Sequence, residues 1–286
     1  MPYPTINTKL VTLLGNPLGH SVSPHMHNRV FKKLGIDCCY LPVEVTEDNL
    51  ETVFRALTKM NVIGCNVTIP HKVGIIQYLD ELDSVAQTIG AVNTICIKNG
   101  KSKGYNTDGE GFIRSLEEES QISVKGKCFF IHGCGGGSRA ICMTLAFKGA
   151  AKIYISNRTF TKAEALSEEI NSKIAKCSVP VQTNHEDQRN ATQACDVLVN
   201  TTSVGMHPNE EELPFDASLI NEKHIVADIV YNPRMTKLLK TAERKGARIV
   251  PGLGMLIYQG AAAFKLFTGV EPLVDEMSEE VHRLMA

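Results

Sequence analysis

The chain has 286 residues, with 30 Lys plus Arg against 31 Asp plus Glu and a net charge of −1 when histidine is neutral. That length favours two domains over a single core. The near-neutral balance, free of long like-charge runs, leaves no electrostatic footprint for nucleic acid or an anionic membrane. Nine scattered cysteines without a C-x-x-C pair suggest neither a disulfide framework nor a zinc site, and fit a reducing cytoplasm. The opening MPYPTINTKL has no basic segment followed by an apolar core, so it does not read as a secretion signal. No stretch reaches the apolar length that spans a bilayer.

Apolar and β-branched runs alternate with helix-period segments from end to end, the pattern of βα units and a parallel sheet. In the first half, strands are predicted at Leu10 to Gly15, Cys39 to Val45, Val62 to Ile69 and Val92 to Lys98. Helices fall between them at Pro24 to Leu34, Asp48 to Met60 and around Val73 to Leu79. The histidines of HSVSPHMH (His20, His25, His27) have no cysteine or Glu-x-x-His spacing that would complete a metal set, so no metal is expected.

The segment NVTIPHK ends a strand and places Lys72 just after Pro70. Proline suits the first helical turn, so Lys72 is predicted to stand at a helix start, beyond the strand end where open α/β folds bind ligands. A cation is disfavoured at that positive dipole end, which would move the lysine towards use as a proton donor or acceptor. Asp108 of YNTDGEGF is a candidate partner, and equally a helix cap.

A second series follows the helix-like GEGFIRSLEEES, with strands in KCFFIHG, KIYISN, VPVQT, DVLVNTT, HIVADIV and RIVPG. The helix from Thr161 to Lys176 opens on Thr161 and Glu164, a capping-box pattern, and two helical segments, Met255 to Thr268 and Leu273 to Met285, close the chain. Strand KCFFIHG runs into the glycine turn Gly133, Cys134, Gly135, Gly136, Gly137 and then a helix. Such glycines permit close backbone approach, and the helix start offers amides to a pyrophosphate. Asn157 lies 24 residues beyond Gly133, close to where an NAD-binding fold places an acid on the ribose 2′-hydroxyl. The sequence reads NRTFTK there and presents Arg158, Thr159 and Lys162, donors suited to a 2′-phosphate. NADP is favoured over NAD.

GNPLGHSVSPHMHN, GCNVTIPHK, GAVNT, YNTDGEGF, the glycine turn, SNRT, NTTSVGM, DIVYNP and GLGMLIYQGA follow one another along nearly the whole chain. In this order they resemble the shikimate dehydrogenase family, including its quinate/shikimate branch. The resemblance implies an α/β fold of two domains, an N-terminal α/β substrate domain and a Rossmann-like dinucleotide-binding domain across a cleft. The first would take residues 1–107 and be completed by helices in 255–286; the second would take 108–254. It also implies reversible reduction of 3-dehydroshikimate to shikimate with NADPH, a step towards aromatic amino acids, in a cytoplasmic monomer or homodimer.

By the same resemblance Lys72 and Asp108 are the catalytic pair, with the lysine handling the proton at the substrate C3 oxygen. Ser21 and Ser23 would hold the substrate carboxylate. Thr68, Asn93 and Gln259 match positions that contact hydroxyls, and Tyr231 matches another substrate position. Ile229, Gly252, Gly254 and Met255 match the segments beside the nicotinamide. Taken singly, Thr68 is an ordinary strand residue, Asn93 a turn residue and Gln259 a helix residue; their joint placement carries the reading. Cys134 and Gly137 stand where alanine is common in the family. NPRMTKLL and Tyr258 resemble the quinate/shikimate branch, whereas NRTFTK resembles the NADP-specific branch. A broader quinate/shikimate dehydrogenase using NAD as well, or a non-catalytic nucleotide or metabolite sensor on the same fold, are the alternatives.

Overall fold

The computed structural model describes residues 4–19 and 21–285, and His20 lies outside them. The chain divides into two units, Met1–Thr107 with Gln259–Ala286, and Asp108–Tyr258.

The first unit contains β1 (Lys9–Gly15), α1 (Ser23–Leu34), β2 (Cys38–Glu44), α2 (Leu50–Leu57), β3 (Val62–Val67), β4 (Glu81–Leu82), α3 (Ser84–Ile89), β5 (Thr94–Lys98) and β6 (Lys101–Tyr105). Its sheet runs β2-β1-β3-β5-β6-β4. Strands β2, β1 and β3 are parallel, whereas β5 is antiparallel to both β3 and β6. The alternating pattern predicted a parallel sheet; this one is mixed, because β5 and β6 form a hairpin. Asn99 and Gly100, at φ 54° and 75°, supply the two positive-φ residues of its tight turn, as an Asn-Gly pair does. Leu14, Phe54, Cys65, Val67, Ile75 and Ile95 pack beneath the sheet in one apolar cluster.

The second unit follows with α4 (Asp108–Ser120), β7 (Cys128–His132), α5 (Gly136–Phe147), β8 (Lys152–Ser156), α6 (Phe160–Lys173), β9 (Ser178–Val181), α7 (His185–Gln193), β10 (Val197–Asn200), β11 (Ile225–Asp228), α8 (Lys237–Arg244) and β12 (Arg248–Val250). Its strands run β12-β11-β10-β7-β8-β9, all parallel. The order reverses between β7 and β10, the dinucleotide-fold arrangement whose ligand crevice opens at the carboxyl ends of those two strands. Strands β7, β10 and β11 are buried almost throughout, as expected of central parallel strands covered on both faces. The capping box expected at Thr161 is absent. Helix α6 starts one residue earlier, and its cap residue Thr159 makes no side-chain bond to the helix.

The chain closes with α9 (Gly252–Thr268) and α10 (Val274–Leu284). In the first unit α9 packs closely because β3 carries Gly64. A Cβ there would lie 2.5 Å from Phe267 Cδ1 and 2.6 Å from the Ile95 carbonyl oxygen. Helices α1 and α10 are joined by Arg29, which bonds Glu276 and Glu280 at 2.7 and 3.0 Å.

In the second unit a buried carboxylate ties the loops after β10 and β11 to α8. Asp228 accepts from Asn200 Nδ2 at 2.9 Å, from the Val230 amide at 3.0 Å and from the Thr236 hydroxyl at 2.8 Å. Thr236 is itself the N-cap of α8. Burial pushes the Asp228 carboxyl up from 3.8 to about 6, against the pull of these donors. Because the folded carboxyl takes up a proton more readily than the unfolded one, its contribution favours the native state at low pH and is lost as pH rises through about 6. In Asp228→Asn the amide can still accept from Asn200 and Val230 and donate to Thr236, without titrating. Urea unfolding of both proteins across this window should show the stability of the parent relative to the variant falling by up to about 3 kcal/mol as pH rises; a constant difference would rule the carboxyl out.

Candidate active site

In the first unit the mixed sheet gathers the expected substrate residues at one edge. A parallel strand presents its carboxyl end where an antiparallel neighbour presents its amino end. The ends of β1 and β3 therefore lie beside the start of β5 and the end of β6. Backbone bonds record this: the Thr68 amide donates to Leu14 O at 2.8 Å, Asn16 to Ile69 O at 3.0 Å, Val67 to Asn93 O at 2.8 Å and Asn93 to Tyr105 O at 3.1 Å. The Val92 amide donates to the Lys72 carbonyl at 2.7 Å, which fixes the lysine's backbone against GAVNT.

Lys72 is half-buried in a turn at residues 69–73. The α-helix expected around Val73 to Leu79 is instead a five-residue 3-10 turn, Gly74–Tyr78. The dipole argument for Lys72 therefore does not apply, since so short a segment aligns few peptide dipoles. Beside it His71 is buried, with Nε2 2.7 Å from the Val45 carbonyl oxygen. Asn93 is 2 % exposed. Its Nδ2 donates to Thr107 Oγ1 at 2.8 Å and to Gln259 Oε1 at 3.4 Å, and its Oδ1 accepts from the Thr107 amide at 2.8 Å. The Thr107 hydroxyl donates to the Gln259 carbonyl at 3.1 Å. Ser23 is the first residue of α1 and Ser21 lies just before it, with the Ser23 amide donating to Ser21 Oγ at 3.4 Å. His25 is exposed and His27 buried.

In the second unit Asp108 is the first residue of α4 and is 3 % exposed. It sits inside the first turn, where a carboxylate suits the positive end of the helix, and not in the flanking position expected of a cap. Tyr231 is half-buried in the loop after β11, and burial raises its hydroxyl pKa.

The glycine turn lies at the switch point between β7 and β10. Gly133 adopts φ +123°, and a Cβ there would lie 2.5 Å from Thr201 Oγ1. The Ser138 hydroxyl donates to the Gly133 carbonyl at 2.5 Å, closing the turn onto α5. A Cβ on Gly137 would touch Ile229 Cδ1 at 3.8 Å, and one on Gly252 would lie 2.6 Å from the Ile229 carbonyl oxygen. The glycine turn, Ile229 and the start of α9, with Gly252, Gly254 and buried Met255, are thus contiguous. The backbone is bare of side chains where a dinucleotide would need to approach it.

At the end of β8, the Asn157 side chain donates to the Thr159 carbonyl at 2.9 Å and holds the turn. Arg158 and Lys162 are exposed, and neither is in an ion pair among the described residues. Lys162 also reaches the glycine turn electrostatically. The Cys134 thiol is pushed up to about 11 by burial, with the Lys162 and Arg139 charges working against that. Arg139 is committed to Glu169 by two bonds of 3.1 and 2.8 Å. Tyr258 is committed as well. Its hydroxyl bonds Glu118, and the Arg114 guanidinium lies 4.3 Å from its ring centroid.

The side chains that motif reading left out are supporting ones: Tyr40, Asn66 and Thr107 in the first unit, and Asn200, Thr201 and Asp228 in the second. Their signal was a polar residue inside an apolar strand, as with Asn66 in VIGCNV and Asp228 in IVAD, because buried polar groups need partners.

Known proteins give this geometry a context. The profile of the shikimate dehydrogenase substrate binding domain matches residues 13–95, and that of the shikimate 5′-dehydrogenase C-terminal domain matches 252–282. A protein of Methanopyrus kandleri named shikimate dehydrogenase (NADP(+)) is 45% identical over 275 residues, 96% of this chain and 95% of that one. A crystal structure of a shikimate dehydrogenase in complex with NADP+ has a TM-score of 0.91 and 42% identity, covering 99% of this chain and 97% of that one. The shikimate 5-dehydrogenase of Listeria monocytogenes, in complex with shikimate and NAD, has a TM-score of 0.91 and 39% identity, covering 98% of each chain. With two site edges built from the family's motifs and relatives matching end to end, this chain belongs to the shikimate dehydrogenase family.

Proposed function

We propose that this chain is an NADP-linked oxidoreductase that reversibly reduces 3-dehydroshikimate to shikimate, as a cytoplasmic monomer or homodimer. All nine cysteines are unpaired thiols, which suits a reducing compartment, and among the described residues no helix is long and apolar enough to cross a membrane. The observation that carries the reading is the gathering of Thr68, Lys72, Asn93 and Gln259 at one edge of the first unit's sheet by the hydrogen bonds described above.

The first unit, residues 1–107 with the closing helices, would bind substrate, and the second would bind the dinucleotide. Ser21 and Ser23 hold the carboxylate, while Thr68, Asn93, Gln259 and Tyr231 meet the hydroxyls, a donor and acceptor set suited to a polyhydroxylated acid. NADPH, when bound, supplies a hydride to the ketone carbon. The ketone oxygen then gains negative charge, which the Lys72 ammonium stabilises and protonates, with Asp108 as its acidic partner. In the reverse direction Lys72 takes the hydroxyl proton. The glycine turn with Ile229, Gly252 and Met255 would cradle the pyrophosphate and nicotinamide ends. Asn157, Arg158, Thr159 and Lys162 would hold the 2′-phosphate, for which two exposed cations with no ion pair among the described residues are suited.

Purified protein mixed with shikimate or quinate, and with NADP or NAD, tests this by nicotinamide absorbance. Reduction only with shikimate and NADP is expected. Comparable rates with quinate or NAD would move the chain to the broader dehydrogenase, and silence throughout would overturn the enzymatic reading in favour of the sensor. Lys72→Ala should lower kcat by about 10² to 10⁴, and intact turnover would remove the lysine from the chemistry. Arg158→Ala should raise KM for NADP about tenfold, the loss of one charge-assisted contact, while KM for NAD stays put. Equal rises for both cofactors would refute its role.

A further inference from the structure

Tyr40 lies on β2 and is 1 % exposed, and none of the expected substrate positions includes it. Its surroundings hold it from three sides. The Asn28 side chain clamps its backbone, donating to the Tyr40 carbonyl at 2.9 Å and accepting from the Tyr40 amide at 2.8 Å. Its ring stacks on the His27 imidazole at a centroid distance of 4.5 Å and an interplanar angle of 4°. Both His27 ring nitrogens are buried without a hydrogen-bond partner, and burial lowers that imidazole's pKa to about 3. His27 is therefore a neutral plate, packed in turn against Phe31 and Phe264.

What this scaffold aims is the Tyr40 hydroxyl. It donates to Asn66 Oδ1 at 2.9 Å. With its oxygen so engaged, the Asn66 amide presents Nδ2 on the other side, donating to the Asn93 carbonyl and to Thr94 Oγ1, both at 3.1 Å. The Thr94 hydroxyl donates to Asn93 Oδ1 at 3.0 Å. An asparagine amide is close to symmetric in shape, so only its partners decide which way round it sits. Tyr40 supplies a donor on one side and thereby selects the orientation that serves Asn93 on the other.

We propose that Tyr40 is a positioning residue for substrate: through Asn66 and Thr94 it sets the orientation of Asn93. This rests on the shikimate reading above, in which Asn93 touches substrate. Contacts of this kind are made equally in the ground state and the transition state, so their loss raises KM and leaves kcat nearly unchanged.

The test compares the parent protein with Tyr40→Phe, which keeps the ring and its stack but removes the hydroxyl, and with the near-isosteric Thr94→Val. Each should raise KM for shikimate about tenfold, with kcat within about twofold and KM for NADP unchanged, because each costs Asn93 about one buried hydrogen bond's worth of positioning. Because both break the same relay, the double variant should show little more than either alone. A purely structural role would lower the melting temperature while leaving the shikimate KM as it was, and that result would overturn the proposal. So would multiplicative effects in the double variant, or a matching rise in the NADP KM. If the parent protein itself failed to oxidise shikimate, the substrate reading would fall and take the relay's role with it. Parent turnover with an unchanged KM in Tyr40→Phe would overturn the relay alone.

Discussion

A polar side chain buried in a sheet must find partners for every donor and acceptor, since an unmet one costs about 1–3 kcal/mol. At the edge of the first unit's sheet this requirement falls on Asn66 and Asn93, both nearly inaccessible to water. Between them they engage Tyr40, Thr94, Thr107 and Gln259. These bonds fix the side-chain directions in which the candidate substrate groups point. A pocket for a small polyhydroxylated acid must discriminate among similar hydroxyl patterns, and a network with every member satisfied holds its geometry better than independent surface residues could.

The second unit meets the same demand with a charge. Asp228 at the end of β11 collects Asn200, Val230 and Thr236, and so ties the loop after β10 and the loop carrying Ile229 and Tyr231 to the cap of α8. Around this anchor the glycine turn and Gly252 leave backbone exposed where side chains would obstruct it. The two units thus meet this demand by different means. Neutral amides and hydroxyls surround Lys72 at the expected substrate edge, while bare backbone with peripheral cations forms the expected dinucleotide edge.

Most of the regular elements were legible because burial imposes their patterns. All six strands predicted for the second series are present, within a residue or two at each end, since central parallel strands are continuous apolar runs. Strand β6, KSKGY, was missed. Its burial alternates, but three of its residues are Lys, Ser and Lys, and only the Asn99-Gly100 turn pointed to it. The helix predicted over Val73 to Leu79 proved to be a 3-10 turn, and the cap at Thr161 gave way to an earlier start. The first error is one of element type and the second one of an element end, and at both places tertiary hydrogen bonds such as Val92 to the Lys72 carbonyl can outweigh local propensity. The motif residues themselves stood in plain view. The residues that hold them, Tyr40 among them, did not, because the partner of a buried hydroxyl lies 26 positions away in the chain.

By itself, then, the order of residues determined the two series of elements, the glycine turn at a strand-to-helix junction, and the motif set that marks the family, all of them features with short spacing or apolar period. Only the tertiary structure decided that the first sheet is mixed, that Lys72 sits on a turn locked to GAVNT, that Tyr258 is held by Glu118 and Arg114, and that Asn66 faces Tyr40. These depend on contacts between residues far apart in sequence, and such contacts form only where packing leaves a buried polar group no alternative partner.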